Sequence, residues 1–313
     1  MMEEKKEFLE LKVEPKEEKS VEKSTQEVRL KGRAWGENAA LYLTEDLPEY
    51  RKTGQYEAQI YNFKELGKTL VLNNQLFTNL VEEKLYQEML VYPSFLTHTA
   101  PKKVLILGGE TGGGLREILK LEDLESVTQV SQDQELVNFC RSHLPEIAMS
   151  SFESPKVNLI YQDIQQYLNQ LTEAYDLILV DLTWTRLGNS GWDWIEDFYH
   201  KIASGLKKLG IFAVNLGGVS FPRPESGSLK KHYEAARQVF PKTVVYQELL
   251  PGISITNGFL VGSMLFSPAV LTPQEIDRRL KDRKIHDLAY YDGISHQRMF
   301  ILPTSLKKLL ELS

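Results

Sequence analysis

The sequence predicts an α/β fold, a mostly parallel seven-stranded sheet covered by helices on both faces, with a small antiparallel β-domain in front of it. Three observations predict it. From residue 103 onward, short apolar runs alternate with helical patterns, the rhythm of strand–helix–strand units. The first run, VLILGG at 104–109, breaks into the glycine-rich ETGGG before the helical LREILKL. Such a turn lets backbone approach a nucleotide-like ligand at the end of the first strand. Ahead of it, residues 40–81 are β-rich and punctuated by Gly67 and the Asn73–Asn74 pair, a hairpin pattern.

In chain order, residues 1–32 are rich in Lys and Glu, with too few apolar groups to offset the entropy of ordering them. They read as a disordered, solvated tail, with a partner-binding helix as the alternative. Residues 33–98 form the β-hairpin domain and its linking helix. ALYLTED, QYEAQIYNF, KTLVLNN and QLFTNLV supply its strands, and apolar residues at 85, 89, 90 and 93 give 82–96 helical spacing. Residues 99–313 form the α/β domain. Its strands fall at 104–109, 126–132, 157–163, 176–182, 210–216, 243–249 and 259–266. Helical segments such as ELVNFCRSHL and LKKHYEAARQVF lie between most of them. No long helix separates the last two strands, which predicts an antiparallel hairpin at one sheet edge. Thr272-Pro273-Gln274-Glu275 has the form of a capping box with Pro at N1. The whole is a Rossmann-like sheet of the class I methyltransferase type.

Composition narrows the function. At 42% hydrophobic residues the 313-residue chain can bury a sizeable core, and its net charge of −6 with no basic stripe argues against nucleic acid. Its one cysteine, Cys140, sits at helical spacing, reads as a buried structural thiol, and fits a reducing cytoplasm. No apolar run reaches ~18 residues, so no membrane span is expected, and no signal-peptide pattern precedes the tail. The six histidines show no metal-ligand spacing, and no metal site is expected.

In sheets of this kind ligands sit beyond the carboxyl ends of the strands. Four such ends carry candidate residues. The first is the glycine turn, Gly108 to Gly114, in which Glu110 and Thr111 are unusual occupants. The second is Ser131, where an acidic residue often accepts ribose hydroxyls; Ser131 is either such a contact or a plain strand-end residue, and Asp133, two residues on, is a substitute carboxylate whose direction the sequence does not fix. The third is Asp163, either an acceptor for an adenine amino group or the N-cap of the next helix, or both. The fourth is Asp181, directly after the apolar DLILV. A partly desolvated carboxylate there would have a raised pKa and suit proton transfer from an attacking amine; a structural cap is the alternative. The following segment carries Trp184, Trp192 and Trp194 among glycines and acidic residues, and reads either as a lid or as aromatic packing.

Together these features resemble the spermidine synthase family of polyamine aminopropyltransferases, from about Trp35 to Leu310. The carriers are GKTLVLN at 67–73, Tyr86-Gln87-Glu88-Met89 for the family's YQEM, and Gly108-Gly109-Glu110-Thr111-Gly112-Gly113 for its GGGDGG. SPKVNLIYQD and Leu288-Ala289-Tyr290-Tyr291, leading to His296, Phe300, Leu302 and Pro303, complete the set.

The resemblance implies transfer of an aminopropyl group from decarboxylated S-adenosylmethionine to a polyamine acceptor, releasing methylthioadenosine. It implies no tightly bound cofactor, only small-molecule partners, and a homodimer or homotetramer. It assigns Asp181 and Tyr86 to catalysis. Gly108, Gly109, Gly112, Thr111, Ser131 and Asp163 would bind the sulfonium nucleoside, and Gln87 and Trp184 the amine. Since the sulfonium already leaves readily, positioning would carry most of the catalysis. The chain also departs from the family. Thr111 stands for the Asp of GGGDGG, Ser131 for the ribose-binding Glu, Trp184 for the second Asp of a DSSDP-like motif, and Phe77 for a Gln near the cofactor. Pro251–Thr256 lacks the Tyr of the family's TYPSG-like loop. These losses fall on cation and nucleoside contacts rather than on the fold. Two alternatives therefore stand beside an aminopropyltransferase of altered specificity: a catalytically impaired binding or regulatory homologue, and an S-adenosylmethionine-dependent methyltransferase.

Overall fold

The computed structural model describes residues 27–29, 40–42, 49–182, 195–219, 226–251 and 255–312. Two short strands, β1 (Glu27–Arg29) and β2 (Ala40–Tyr42), pair antiparallel. The four-stranded sheet that follows runs β3 (Glu49–Lys52), β4 (Glu57–Phe63), β5 (Gly67–Leu72) and β6 (Gln75–Asn79), each antiparallel to the next. Asn73 and Asn74 take φ of 50° and 60°, the two-residue turn whose twist suits a hairpin. The ALYL run, expected as a strand of this sheet, pairs with β1 instead. One of the two outer strands is β3, EYRK, exposed along its whole length. It is a charged edge strand with no apolar alternation to reveal it.

After α1 (Glu83–Thr97) comes the larger sheet: β7 (Lys103–Gly108), α2 (Gly113–Ile118), β8 (Ser126–Ser131), α3 (Gln134–His143), α4 (Pro145–Ala148), β9 (Val157–Tyr161), α5 (Ile164–Asn169) and β10 (Tyr175–Asp181). Then follow α6 (Ile195–Gly205), β11 (Leu206–Gly218), α7 (Ser226–Val239), β12 (Lys242–Leu250), β13 (Ile255–Ser263), α8 (Pro273–Asp282), α9 (Gly293–Met299) and α10 (Thr304–Leu309). The sheet order is β12-β13-β11-β10-β7-β8-β9. The five strands from β9 to β11 are parallel, and β13 runs antiparallel between β11 and β12. The expected hairpin at one edge and the mostly parallel seven-stranded Rossmann-like sheet are both present.

Alternation along the central strands sends successive side chains to opposite faces. Val104 and Ile106 join Leu177 and Leu179 beneath α1 and α2. Leu105 and Leu107 join Ile178 and Val180 beneath α5, α6 and α7. A third cluster packs Ala58, Ile60, Leu70 and Leu72 of the small sheet against Leu136, Phe139, Cys140 and Ile147 of α3 and α4. Cys140 is fully buried there. At α8 only half of the expected capping box forms. The Thr272 hydroxyl accepts from the Glu275 N–H at 3.2 Å, but the Glu275 carboxylate turns to Arg278 and Arg279.

Candidate active site

Three strand ends and one helix converge at the glycine turn. Gly108 ends β7 with φ of 85°, and a Cβ there would lie 2.5 Å from the Asp181 carbonyl. Only glycine lets β7 and β10 stay this close as they enter the turn. The Gly109 N–H donates to that same carbonyl at 3.3 Å. Gly112, with φ of 79°, rests on Phe152 and Ala148, where a Cβ would approach to 2.6 Å. Glu110 and Thr111 lie between these glycines and are both buried. Sequence reasoning missed Gln129, whose amide N–H groups hold the Gly108 and Gly109 carbonyls at 2.9 and 2.8 Å. A lone amide in the buried strand SVTQVS is the signal that would have found it.

Asp181 ends β10 and is 8% exposed. Helix α1 brings it two donors from consecutive residues: the Tyr86 hydroxyl at 2.5 Å from Oδ1 and the Gln87 amide at 3.4 Å from Oδ2. Gln87 is itself buried, and its Oε1 has no hydrogen-bond partner among the described residues. The site thus holds a buried carboxylate fixed by a phenol and an amide, with an amide oxygen still available to a donor.

The other candidates sit around this centre. Ser131, 1% exposed at the end of β8, donates to Glu110 Oε1 at 3.4 Å and accepts from the Asp133 N–H at 3.3 Å. Asp133 caps α3 through the Leu136 N–H at 2.9 Å and accepts from the Thr53 hydroxyl of the small β-domain at 2.5 Å. Asp163 caps α5 through the Gln166 N–H at 2.9 Å, and its second oxygen takes the Gln132 amide at 2.6 Å. Phe77 packs against the cluster between the small sheet and α3. Trp184, Trp192 and Trp194 lie outside the described residues, as do residues 252–254 of the 251–256 loop.

The rest of the YQEM segment is structural. Glu88 accepts the N–H groups of Ala289, Tyr290 and Tyr291 at 2.6 to 2.8 Å. Burial pushes its pKa up, against the pull of those donors. Tyr291 in turn donates to His296 Nδ1 at 2.5 Å, and His296 Nε2 meets the Pro268 carbonyl at 2.9 Å, which assigns the ring proton to Nε2. Two motifs some 200 residues apart in sequence are therefore one bracket, and Tyr86 and Gln87 stand on its outer end. Behind them, Arg116 bonds both oxygens of Glu83 at 2.9 and 3.1 Å and Glu117 at 2.8 Å. Burial pushes Glu117 up, but Lys120, Arg116 and the Tyr92 hydroxyl outweigh it and hold its pKa below the usual range. Among the described residues no cluster of three His, Cys, Asp or Glu side chains is arranged to hold a metal, and no helix is long and apolar enough to cross a membrane.

The strand order β9-β8-β7-β10-β11-β13-β12, with a carboxylate beside the glycine turn after β7, defines a Rossmann-like fold of the class I methyltransferase type. The spermine/spermidine synthase domain matches residues 83–272. The polyamine aminopropyltransferase of Pyrobaculum neutrophilum is 29% identical over 275 residues, covering 86% of this chain and 93% of that one. That of Sulfurisphaera tokodaii is 30% identical, covering 83% and 85%. A spermidine synthase solved in complex with the transition-state analogue AdoDATO superposes with a TM-score of 0.81 at 25% identity, over 94% of this chain and 99% of that one. Spermidine synthase of Thermotoga maritima gives 0.78 at 24%, over the same shares, and speaks to the fold. The chain belongs to the spermine/spermidine synthase family, and as a member it is a transferase of the polyamine aminopropyltransferase type.

Proposed function

We propose that this protein transfers an aminopropyl group from decarboxylated S-adenosylmethionine to a polyamine whose identity differs from the family's usual acceptor. The observation that carries the reading is the Tyr86–Asp181 pair at 2.5 Å, set beside the glycine turn at the carboxyl end of β10. Asp181 takes the proton that the acceptor amine must lose. The freed nitrogen then attacks the aminopropyl carbon attached to sulfur. As the new C–N bond forms, the C–S bond breaks with its electron pair going to sulfur. The cationic sulfonium becomes the neutral thioether of methylthioadenosine. Tyr86 and Gln87 hold the carboxylate in place, and the free Gln87 Oε1 accepts an N–H from the amine.

Gly108, Gly109, Gly112, Thr111, Ser131 and Asp163 form the nucleoside side of the site in this reading. Trp184 supplies a cation–π face where the family has a carboxylate, on sequence grounds alone. The replacement of the acceptor-side carboxylate at 184 supports an altered acceptor, because charge-assisted hydrogen bonds contribute roughly 1.5–3 kcal/mol each, whereas the replacements at 111 and 131 fall on the donor side. Family membership supports a homodimer or homotetramer acting in the cytoplasm, without nucleic-acid or membrane partners.

The test is formation of methylthioadenosine by the purified chain across di-, tri- and tetraamines, with Asp181→Asn as control. Turnover with at least one amine, reduced about 10²- to 10⁴-fold in Asp181→Asn, is expected for loss of a general base. No product with any amine despite nucleoside binding would instead support the binding homologue. Methyl transfer from S-adenosylmethionine would support the methyltransferase.

A further inference from the structure

The carboxylate at the end of the second parallel strand is the usual acceptor for ribose hydroxyls in sheets of this type. It lies about 20 residues beyond the glycine turn, because that strand end faces the ribose of a nucleoside held over the turn. Here that position is Ser131, a side chain too short and too weak an acceptor to take both hydroxyls of a diol. The next carboxylate along, Asp133, is committed. One oxygen caps α3 and the other receives Thr53 from the small β-domain. Asp163, at the end of the third strand, is engaged at both oxygens by the Gln166 N–H and the Gln132 amide.

A carboxylate nevertheless reaches the strand end from the other side. Glu110, inside the glycine turn, is 6% exposed, and its Oε1 lies 3.4 Å from Ser131 Oγ. The turn that carries it is fixed by the Gln129 amide on two consecutive carbonyls. We infer that Glu110 is the diol-binding residue of this protein: the carboxylate has moved from the end of β8 to the turn after β7, and Ser131 orients it. The inference rests on the nucleoside-binding site proposed above and assigns the residue that reads the ribose there. A carboxylate hydrogen-bonded to both ribose hydroxyls distinguishes a ribonucleoside from its deoxy counterparts, so Glu110 determines sugar specificity.

Calorimetry on the full chain tests this with methylthioadenosine and its 2′,3′-dideoxy analogue. The wild-type chain should prefer methylthioadenosine. Glu110→Gln should weaken methylthioadenosine about 10- to 100-fold, the loss of charge-assisted hydrogen bonds, and leave the dideoxy analogue unchanged. In the double variant Glu110→Gly with Ser131→Glu, the carboxylate returns to the strand end and affinity should recover to within a few-fold of wild type. Unaltered methylthioadenosine affinity in Glu110→Gln, or an equal loss for the dideoxy analogue, overturns the assignment and leaves the proposed function standing. Equal affinity of the wild-type chain for the two nucleosides overturns it without any variant. A chain that binds neither nucleoside overturns the proposed function together with it.

Discussion

At Asp181 a single carboxylate is fixed by the hydroxyl of Tyr86 and the amide of Gln87, two neighbours on α1. Consecutive helical residues project about 100° apart, so both reach the same group only because it lies against the helix itself. Tyr86→Phe keeps the ring and its contact with Phe259, 5.9 Å between centroids, but removes the hydrogen bond. The expected result is a fall in kcat/KM of roughly 10- to 100-fold with little change in melting temperature, read by steady-state kinetics and thermal unfolding of the same samples. An unchanged kcat/KM would remove Tyr86 from the catalytic set. At this scale the sequence points well to residues whose type is tied to a strand end: Asp181, the glycines and the cap at Asp163. Where those side chains point it leaves open. Asp133 reads as a substitute for the missing ribose carboxylate until its two oxygens are seen to cap α3 and to accept from Thr53, 80 residues earlier. Glu110 reads as an oddity in a turn until Ser131 is seen beside it.

Helix α1 is the element on which the fold turns. It is buried along most of its length despite carrying Glu83, Gln87 and Glu88, and it holds Pro93 in its interior. Proline has no N–H, so the Met89 carbonyl one turn back loses its helical partner. The Tyr246 hydroxyl of β12 donates to that carbonyl at 2.8 Å. At the other end, Arg279 and Arg283 donate to the carbonyls of Phe95, Leu96, Thr97 and His98, which a helix terminus leaves open. Burial and the neighbouring Arg279 hold the Arg283 pKa down at about 10. Tyr246→Phe should therefore destabilise by about 1–3 kcal/mol, the cost of a buried unpaired carbonyl, measured by denaturant titration. A change within experimental scatter would show that the Met89 carbonyl finds another partner. The helix itself is legible from its apolar spacing. Its partners are not, because they come from β12 and α8, more than 150 residues away.

Over the whole molecule, several buried histidines couple stability to pH. Burial pushes the His232 pKa down to about 3. It also lowers His296, against the Pro268 carbonyl, and His98, against the Asp176 carboxylate. Below the ordinary histidine pKa of 6.5 the unfolded chain takes up protons that the folded chain refuses, so stability falls as pH falls through that value. Each histidine that stays neutral contributes about 1.4 kcal/mol of loss per pH unit. Glu83 and Glu88, whose pKa values burial raises, oppose this only as they bind protons in the folded state. The melting temperature should drop between about pH 7 and about pH 5.5, with a shallower slope in His232→Asn, checked by calorimetry across that range. A flat or rising profile would contradict it.

The sequence by itself determined the α/β class, the seven strands of the large sheet, the glycine turn and the carboxylate at the end of β10. Each of these is written in local terms, as apolar runs, periodicity, and glycine where backbone must come close. It did not reveal β3, whose charged edge position needs no apolar face, nor that ALYL pairs with β1. Only the tertiary structure decided which side chains meet: Tyr86 with Asp181, Glu88 with the Ala289–Tyr291 backbone, Gln129 with the turn, Glu110 with Ser131. Hydrogen-bond partners depend on where folding carries distant segments. No spacing along the chain encodes that, whereas burial and turn chemistry act on neighbours and leave their pattern in the sequence.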